Sequence, residues 1–365
     1  MRSRRSRERP LMLCLLAIGL SSDKLGFDRQ TNNSQTNNRM VRDIAMHHTN
    51  EEKCIFFITK NHGQTASHHQ IADCLPIAQW NSMHHGLNGQ HDEKNNLLSS
   101  PYPIKVVTDA FHYPHADQVL PIQPEQLFFM DYTSAEDLEQ ASVLDIGVGS
   151  GVLSIFCLLN GATSCVGLDV NPRAKILAGH NAILNHIDKN FDIRDGSTSD
   201  IFASVKDKQF DFICSNPPFE PTPPGIDYYV NSAAGIYGMD FAEKILSNID
   251  QHLTDDGMLQ VVTMAPGDAK RPFKLYEILE NHLPGQAVEI ILDRQPISYD
   301  DFVGRFNTIF GYGEGVVSQM KKTARDDGVT HLHMLIMKYK KGRHGSITEK
   351  VAGRIYENWT TPLGL

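Results

Sequence analysis

Two short segments of the sequence carry residues whose types and spacing could do chemistry, and the first is a glycine-rich turn. It joins an apolar strand to three alternating glycines, in the run Val143-Leu144-Asp145-Ile146-Gly147-Val148-Gly149-Ser150-Gly151. Glycine is needed where a strand turns onto a helix and a ligand must approach the backbone, because a side chain would block that approach. A dinucleotide site would require G-x-G-x-x-G, but Val152 occupies the third glycine position, which argues against NAD.

Acidic residues follow the next two predicted strands. Asp169 lies 24 positions after Asp145, an offset that suits contact with ribose hydroxyls. Taken alone, Asp169 could equally well start the next helix. Asp195 follows the third strand, where an aspartate could hold the exocyclic amine of adenine. Together with the glycine turn, these carboxylates favour a cofactor that contains a nucleoside.

The second segment is Asn216-Pro217-Pro218-Phe219, at the end of a strand predicted over Phe210–Ser215. Two prolines cannot continue a central strand, so the chain leaves the sheet at the end where open α/β sheets bind ligands. The side-chain carbonyl of Asn216 and the backbone carbonyl of Pro217 could accept both hydrogens of an NH2 group. Phe219 offers a flat apolar face for stacking a planar group. The alternative is an ordinary turn built from asparagine and proline.

The elements that must position these residues alternate along the chain from about residue 102. Strands are predicted at 104–107, 142–146, 165–168, 191–194, 210–215, 257–264, 288–292 and 331–339, and helices at 124–132, 152–160, 172–187, 239–253 and 272–282. Such alternation predicts an α/β fold with a mostly parallel sheet and helices on both faces. Residues 294–330 are longer than a hairpin requires, which fits either a lid or a peripheral packing element.

Composition divides the chain into four predicted segments. Residues 1–100 are polar and rich in Asn, Gln and His, and we expect them to be poorly ordered. Within them, an arginine-rich start and the apolar run Leu11–Leu20 resemble a targeting sequence. Residues 101–141 are assigned to a substrate-side extension, residues 142–340 to the catalytic domain and residues 341–365 to a C-terminal tail.

The overall charge narrows the class of partner. The formal net charge is −9, so the chain supplies none of the general phosphate attraction on which nucleic-acid binding relies. A protein or a small molecule is therefore favoured as the partner over nucleic acid. No later segment is apolar enough to span a membrane, and a soluble protein is expected, either cytoplasmic or organellar if the N-terminus is a targeting sequence. Six cysteines form no C-x-x-C pair, and no metal site is predicted.

The glycine turn and the Asn216–Phe219 segment together resemble the class I S-adenosylmethionine-dependent methyltransferases, and within them the N-P-P-[FY] group that methylates planar nitrogens. The likeness covers about residues 120–339 and is strongest to the HemK-type glutamine methyltransferases and related methyltransferase small domain proteins. The run Gly235-Ile236-Tyr237-Gly238-Met239-Asp240-Phe241 is similar to the G-x-x-G-x-D segment of that family. The resemblance implies a Rossmann-like fold with a seven-stranded sheet.

The resemblance also implies a role for each motif residue. The residues expected to bind S-adenosylmethionine are Asp145, Gly147, Gly149 and Gly151 around its methionine part, Asp169 at the ribose, Asp195 near the adenine, and Asn216. The residues expected at the reacting nitrogen are Asn216, Pro217, Pro218 and Phe219. The acceptor stays open between a protein glutamine and a small amide or amine metabolite, with adenine or guanine in RNA or DNA as the alternative.

Overall fold

The computed structural model describes residues 55–60, 66–72, 104, 106–109, 115–223, 234–310 and 313–353. All of them belong to one unit of the chain, Thr49–Pro362. The predicted targeting sequence lies outside the described residues, as do most of residues 1–100 and the end of the C-terminal tail. Within residues 55–109, three antiparallel strands form a small sheet in the order β1 (Ile55–Lys60), β2 (Ala66–Ala72) and β3 (Val106–Asp109).

The main sheet is mostly parallel, as the alternating pattern predicts. Its nine described strands are β4 (Ser142–Ile146), β5 (Ser164–Asp169), β6 (Phe191–Asp195), β7 (Phe210–Ser215), β8 (Leu253–Gly267), β9 (Gln286–Leu292), β10 (Ile297–Ser298), β11 (His331–His344) and β12 (Ile347–Val351). They lie in the order β12-β9-β11-β8-β7-β4-β5-β6, with β10 paired to β11. The five strands from β8 to β6 are parallel, and β11 runs antiparallel to both β8 and β9. The Rossmann-like α/β class is confirmed.

The predicted number of seven strands is too low by two. β10 is only two residues long, which is too short for an alternating pattern to reveal it. β12 lies within the segment assigned to the tail and pairs in parallel with β9 at the edge of the sheet. Four of its five residues are exposed, and they include Glu349 and Lys350. Charged side chains are typical of an edge strand that faces water, and they hide the apolar signal of a strand.

Nine described helices surround the main sheet. They are α1 (Pro124–Asp131), α2 (Ala135–Leu138), α3 (Val152–Leu159), α4 (Pro172–Leu184), α5 (Asp240–Leu246), α6 (Ile249–His252), α7 (Phe273–His282), α8 (Tyr299–Phe310) and α9 (Glu314–Asp326). The single helix predicted over 239–253 is two short helices, and β8 begins at Leu253, earlier than predicted. The insertion at 294–330 holds β10, α8 and α9.

Neighbouring residues of β8 show that helices cover both faces of the sheet. The amide of Gln260 donates to the backbone carbonyl of Phe129 in α1, at 2.9 Å. The next residue, Val261, points the other way, because successive side chains of a strand alternate. Val261 packs in a buried apolar cluster that includes Ile245 of α5 and Leu279 of α7.

Asn181, on α4, ties the small sheet to the glycine-rich turn. Its side chain is fully buried. Its Oδ1 accepts from the N–H of Val107 at 2.7 Å, while its Nδ2 donates to the carbonyls of Val107 at 3.0 Å and Ser150 at 2.7 Å. One amide thus satisfies polar groups of β3 and of the turn, and it holds both against the same helix.

We predict that Asn181→Ala lowers the free energy of unfolding by about 2–4 kcal/mol, because it leaves buried backbone groups without partners. Urea denaturation measures this loss. The control is Asn190→Ala, which removes one hydrogen bond, to the carbonyl of Thr163 at 2.7 Å, in an exposed setting; we expect it to cost less than about 1 kcal/mol. Equal losses in the two variants would contradict the prediction.

Candidate active site

The register of the parallel strands brings the glycine turn and the Asn216–Phe219 segment together at the carboxyl ends of the strands. Ile146, the last residue of β4, is paired with Leu168 of β5 on one side and with Ser215 of β7 on the other. The hydroxyl of Ser215 also donates to the carbonyl of Ile146, at 2.6 Å. The glycine turn after β4 and the Asn216–Phe219 segment after β7 therefore begin side by side, with Asp169 ending the strand on the far side of β4.

The three glycines of the turn have different surroundings. All three have positive φ, at 80° for Gly147, 52° for Gly149 and 81° for Gly151, which favours glycine. A Cβ at Gly147 would meet nothing within 4 Å, and one at Gly149 would meet only the carbonyl of Gly147 at 3.9 Å. A Cβ at Gly151 would lie 3.2 Å from the side chain of Ala178 on α4. The first two glycines thus border open space that a ligand can fill, whereas the third permits close packing against the helix.

Asp169 fastens the turn to the start of α4. Its Oδ2 accepts from the N–H of Gly149 and its Oδ1 from the N–H of Asn171, both at 2.8 Å. Asn171 in turn caps α4, since its side chain accepts from the N–H of Arg173 at 2.9 Å. Burial raises the pKa of Asp169, although these two hydrogen bonds and Lys175 oppose the shift. Asp169 stands beside the open space next to Gly149.

Asp145 is a buried carboxylate with one unsatisfied oxygen. It is 1% exposed. Its Oδ2 accepts from the hydroxyl of Ser154 at 2.7 Å and from the N–H of Ser154 at 3.2 Å. Its Oδ1 has no hydrogen-bond partner. Burial raises the pKa of Asp145 to about 6, against the opposing effect of Ser154. Sequence reasoning missed Ser154, which carries no signal apart from its place in the first turn of α3.

Asn216 presents a second buried oxygen without a partner. The Oδ1 atom of its half-buried side chain is inaccessible to water and accepts no hydrogen bond in the structure. An amide oxygen in this state costs free energy unless a ligand donates to it. Pro217 is buried, while Pro218 and Phe219 are half-buried. The structure therefore places an unused acceptor directly after β7, next to the glycine turn that follows the paired strand β4.

The segment around Gly235 supports this loop from the other side. The N–H of Thr222 donates to the carbonyl of Gly235 at 2.8 Å, and the N–H of Ala234 donates to the carbonyl of Glu220 at 3.3 Å. Gly238 has φ of 74°, and a Cβ there would lie 2.1 Å from the carbonyl oxygen of Phe219. Gly238 of the G-x-x-G-x-D pattern is thus required because two backbone segments touch, whereas a Cβ at Gly235 would meet the side chain of Asp240.

Asp195 has a different setting from the other predicted site residues. It is the last residue of β6 and is paired with Asp169, so it lies at the same carboxyl end of the parallel strands. Its side chain, however, is 83% exposed and forms an ion pair with Lys175 on α4. Its position is compatible with the outer end of a long ligand.

The available groups fit S-adenosylmethionine. The open space beside Gly147 and Gly149 accommodates a ligand against the backbone, and the unpaired Oδ1 of Asp145 can accept from its ammonium group. Among the residues that the structure describes, no group of three His, Cys, Asp or Glu residues could hold a metal ion. Within the same residues, no helix has the length and apolar character needed to cross a membrane.

The raised pKa of Asp145 has a predictable effect on stability. The folded state is favoured while this carboxyl is neutral, and that contribution is lost as the pH rises through the folded-state pKa of about 6. Relative to Asp145→Asn, the wild-type protein should lose about 2 kcal/mol of unfolding free energy between about pH 4.5 and 7.5. Chemical denaturation of both cofactor-free proteins across this range measures the difference. A difference that stays constant with pH would contradict the assignment.

Known methyltransferases are similar to the part of this chain that holds the site. A protein from Methanocaldococcus jannaschii, provisionally named protein N5-glutamine methyltransferase, is 38% identical over 130 residues, which cover 34% of this chain and 63% of that protein. The release factor glutamine methyltransferase of Fusobacterium nucleatum is 34% identical over 135 residues, which cover 34% of this chain and 37% of that enzyme. The chain thus spans less than two thirds of the length of each relative.

A solved structure and a family model complete the comparison. The ribosomal protein L11 methylase of Lactobacillus delbrueckii subsp. bulgaricus aligns with 58% of this chain and 75% of its own, at 18% identity and a TM-score of 0.33. The family model described as methyltransferase small domain matches residues 127–283, which include the glycine turn, Asp169 and Asn216. Residues 127–283 of this chain are therefore similar to the methyltransferase small domain family.

Proposed function

We propose that this protein transfers a methyl group from S-adenosylmethionine to the side-chain amide nitrogen of a glutamine in a protein. The observation that carries the proposal is the buried, unpaired Oδ1 of Asn216 at the end of β7. Support comes also from the relatives named as glutamine methyltransferases, among them a ribosomal protein uL3 glutamine methyltransferase from Xanthomonas campestris. Two neighbouring carbonyl oxygens, those of the Asn216 side chain and the Pro217 backbone, can accept both hydrogens of a planar amide NH2 group.

S-adenosylmethionine would supply a methyl group on a positively charged sulfur: the acceptor nitrogen attacks the methyl carbon as the carbon–sulfur bond breaks, and S-adenosylhomocysteine leaves as a neutral thioether. The amide nitrogen is a weak nucleophile because its lone pair is delocalised into the carbonyl. Asn216 Oδ1 and the carbonyl of Pro217 would accept its two hydrogens, fix its orientation and favour the positive charge that develops on it. Phe219 would stack against the planar amide. The nitrogen then loses one proton to solvent, and no strong general base is needed.

The cofactor would lie along the carboxyl ends of β4, β5 and β6. Asp145, Gly147 and Gly149 would hold its methionine part, Asp169 its ribose and Asp195 the outer, adenine end. Gly151 would act indirectly, through the packing of the turn on α4. We assign residues 142–340 to the catalytic domain and residues 101–141 to a substrate-side extension. The helix α1 of this extension packs on the sheet, where the amide of Gln260 in β8 donates to a backbone carbonyl of α1.

The acceptor class is tested by incubating the purified protein and labelled S-adenosylmethionine with release factor, ribosomal protein uL3, total RNA and a pool of small amides. We expect label in a protein, at a glutamine side chain located by peptide mass spectrometry. Label confined to RNA would contradict the proposal in favour of base methylation, and label confined to the small amides would contradict it in favour of a metabolite acceptor.

The role of Asn216 predicts a specific defect. Asn216→Ala should lower turnover by about 100-fold or more, because it removes a preorganised acceptor at the reacting nitrogen. The dissociation constant of S-adenosylmethionine, measured by calorimetry, should change by less than about threefold, since the variant keeps the glycine turn and Asp169. The control is Asn248→Ala, which removes an exposed side chain that donates to the hydroxyl of Ser247 at 3.2 Å. Full turnover in Asn216→Ala would show that the assignment is wrong.

The role of Asp169 predicts the opposite pattern. Asp169→Ala should weaken cofactor binding by about 10- to 100-fold, through lost ribose contacts and a loosened turn at Gly149. Turnover at saturating cofactor should fall far less. The matched control is Asp192→Ala on the neighbouring strand β6, which removes an exposed ion pair with Arg194 of the same strand. A loss of turnover with unchanged cofactor affinity would contradict the prediction.

A further inference from the structure

We infer that the inserted helices α8 and α9 position the methyl-accepting end of the site, with Tyr299 and Asp327 as the positioning residues. The inference rests on the proposed function, because it concerns the loop that would hold the acceptor nitrogen. Three sets of contacts connect the insert to that loop. Here the acceptor loop is residues 216–222, the bridging segment is residues 234–238 and the insert is residues 297–327.

The first set joins the acceptor loop to the bridging segment. Two backbone hydrogen bonds link Glu220 and Thr222 to Ala234 and Gly235. Gly238 approaches the carbonyl of Phe219 so closely that no other residue fits there. The acceptor loop carries three prolines and follows Ser215, the last residue of β7 that pairs with β4 and β8, and the bridging segment supports it through these contacts. The position of Asn216 therefore depends on where the bridging segment is held.

The second set joins the bridging segment to the insert. The hydroxyl of Tyr299, the first residue of α8, donates to the carbonyl of Ile236 at 3.3 Å. The hydroxyl of Tyr237 donates to Oδ2 of Asp327, just after α9, at 2.5 Å. Tyr299 is 0% exposed, so its hydroxyl has no water to replace this contact. Burial and the nearby Asp300 raise the pKa of Tyr299, which keeps the hydroxyl protonated as a donor at neutral pH.

The third set joins the insert to the rigid sheet. The N–H of Tyr299 donates to the carbonyl of Thr330 at 3.0 Å, and the N–H of Thr330 donates to the carbonyl of Gly267, the last residue of β8, at 2.8 Å. Ile297 of β10 pairs with Leu332 of β11. β8 lies next to β7 in the sheet. The acceptor loop therefore begins at one strand of the sheet, β7, and is held on its other side, through the bridging segment and the insert, by the neighbouring strand β8.

A catalytic group that acts by orientation needs such a frame, because an error of about 1 Å in placement can cost about 100-fold in rate. Within this arrangement, Tyr299 acts on the acceptor nitrogen through the bridging segment and the acceptor loop. The cofactor would lie elsewhere, at the ends of β4 and β5. The insert thus acts as a fixed brace for the acceptor loop, distinct from a peripheral packing element.

The test compares two variants that each remove one hydroxyl from a buried tyrosine, at opposite ends of β8. Tyr299→Phe removes the hydroxyl that contacts Ile236. Tyr339→Phe removes an equally buried hydroxyl that donates to Oδ1 of Asp250 at 2.7 Å, near the opposite end of β8. Hydrogen–deuterium exchange of the full-length protein is measured for peptides covering residues 216–222 and 234–240, and it requires no acceptor.

We expect Tyr299→Phe to speed exchange in those two peptides by about fivefold and to leave β9 unchanged, while Tyr339→Phe leaves both peptides as in the wild type. Unaltered exchange in Tyr299→Phe, or an increase spread evenly over the sheet, would overturn the inference. Because this readout is independent of turnover, it stands even if no glutamine acceptor is found and the proposed function fails.

Where transfer to a protein acceptor is detected, Tyr299→Phe should lower kcat by about three- to tenfold with the dissociation constant of S-adenosylmethionine unchanged. Asp327→Asn, which weakens the second contact, should shift kcat in the same direction. Equal kcat values for wild type, Tyr299→Phe and Asp327→Asn would contradict a positioning role, as would a loss of cofactor affinity in Tyr299→Phe.

Discussion

The position of β4 between β5 and β7 is the constraint on which the candidate site depends. After β4 the chain adds β5 and β6 on one side of it and then crosses to β7 on the other, so the loops that follow β4 and β7 diverge at the strand ends, where open α/β sheets leave a crevice. The pairing of Ile146 with both Leu168 and Ser215 sets the level at which the three strands stop. A glycine turn, a carboxylate and an asparagine therefore meet there although they are far apart in sequence.

The charges and polar groups of the crevice are arranged for a bound ligand. Asp145 keeps an unpaired oxygen in a buried place, which raises its pKa to about 6, and Asn216 keeps an unpaired carbonyl. Both are unfavourable for the folded chain alone, because buried acceptors without donors cost free energy. Asp169, by contrast, is satisfied by backbone donors and shapes the turn. These two oxygens are the atoms to which the proposed cofactor and the proposed acceptor amide would donate.

Local sequence signals predicted much of this arrangement. Asn171 followed by Pro172 marks the start of α4, and the paired prolines after Asn216 mark the end of β7, because each residue type restricts its own backbone. β12 and the short β10 were missed, since an exposed edge strand and a two-residue strand show no apolar alternation. The contact between Tyr299 and Ile236 was missed for another reason. It joins residues 63 positions apart, and tertiary contacts of this kind leave no mark in the local pattern.

The central claim is that Asn216 holds a planar amide nitrogen next to the donated methyl group. The most direct measurement is a crystal structure of the protein with S-adenosylhomocysteine and a glutamine-containing peptide from the acceptor found by methyl transfer. We predict that the glutamine amide nitrogen lies about 2.9 Å from Oδ1 of Asn216, the usual length of such a hydrogen bond. A glutamine bound elsewhere, with Asn216 Oδ1 still unpaired in the presence of both ligands, would contradict the account.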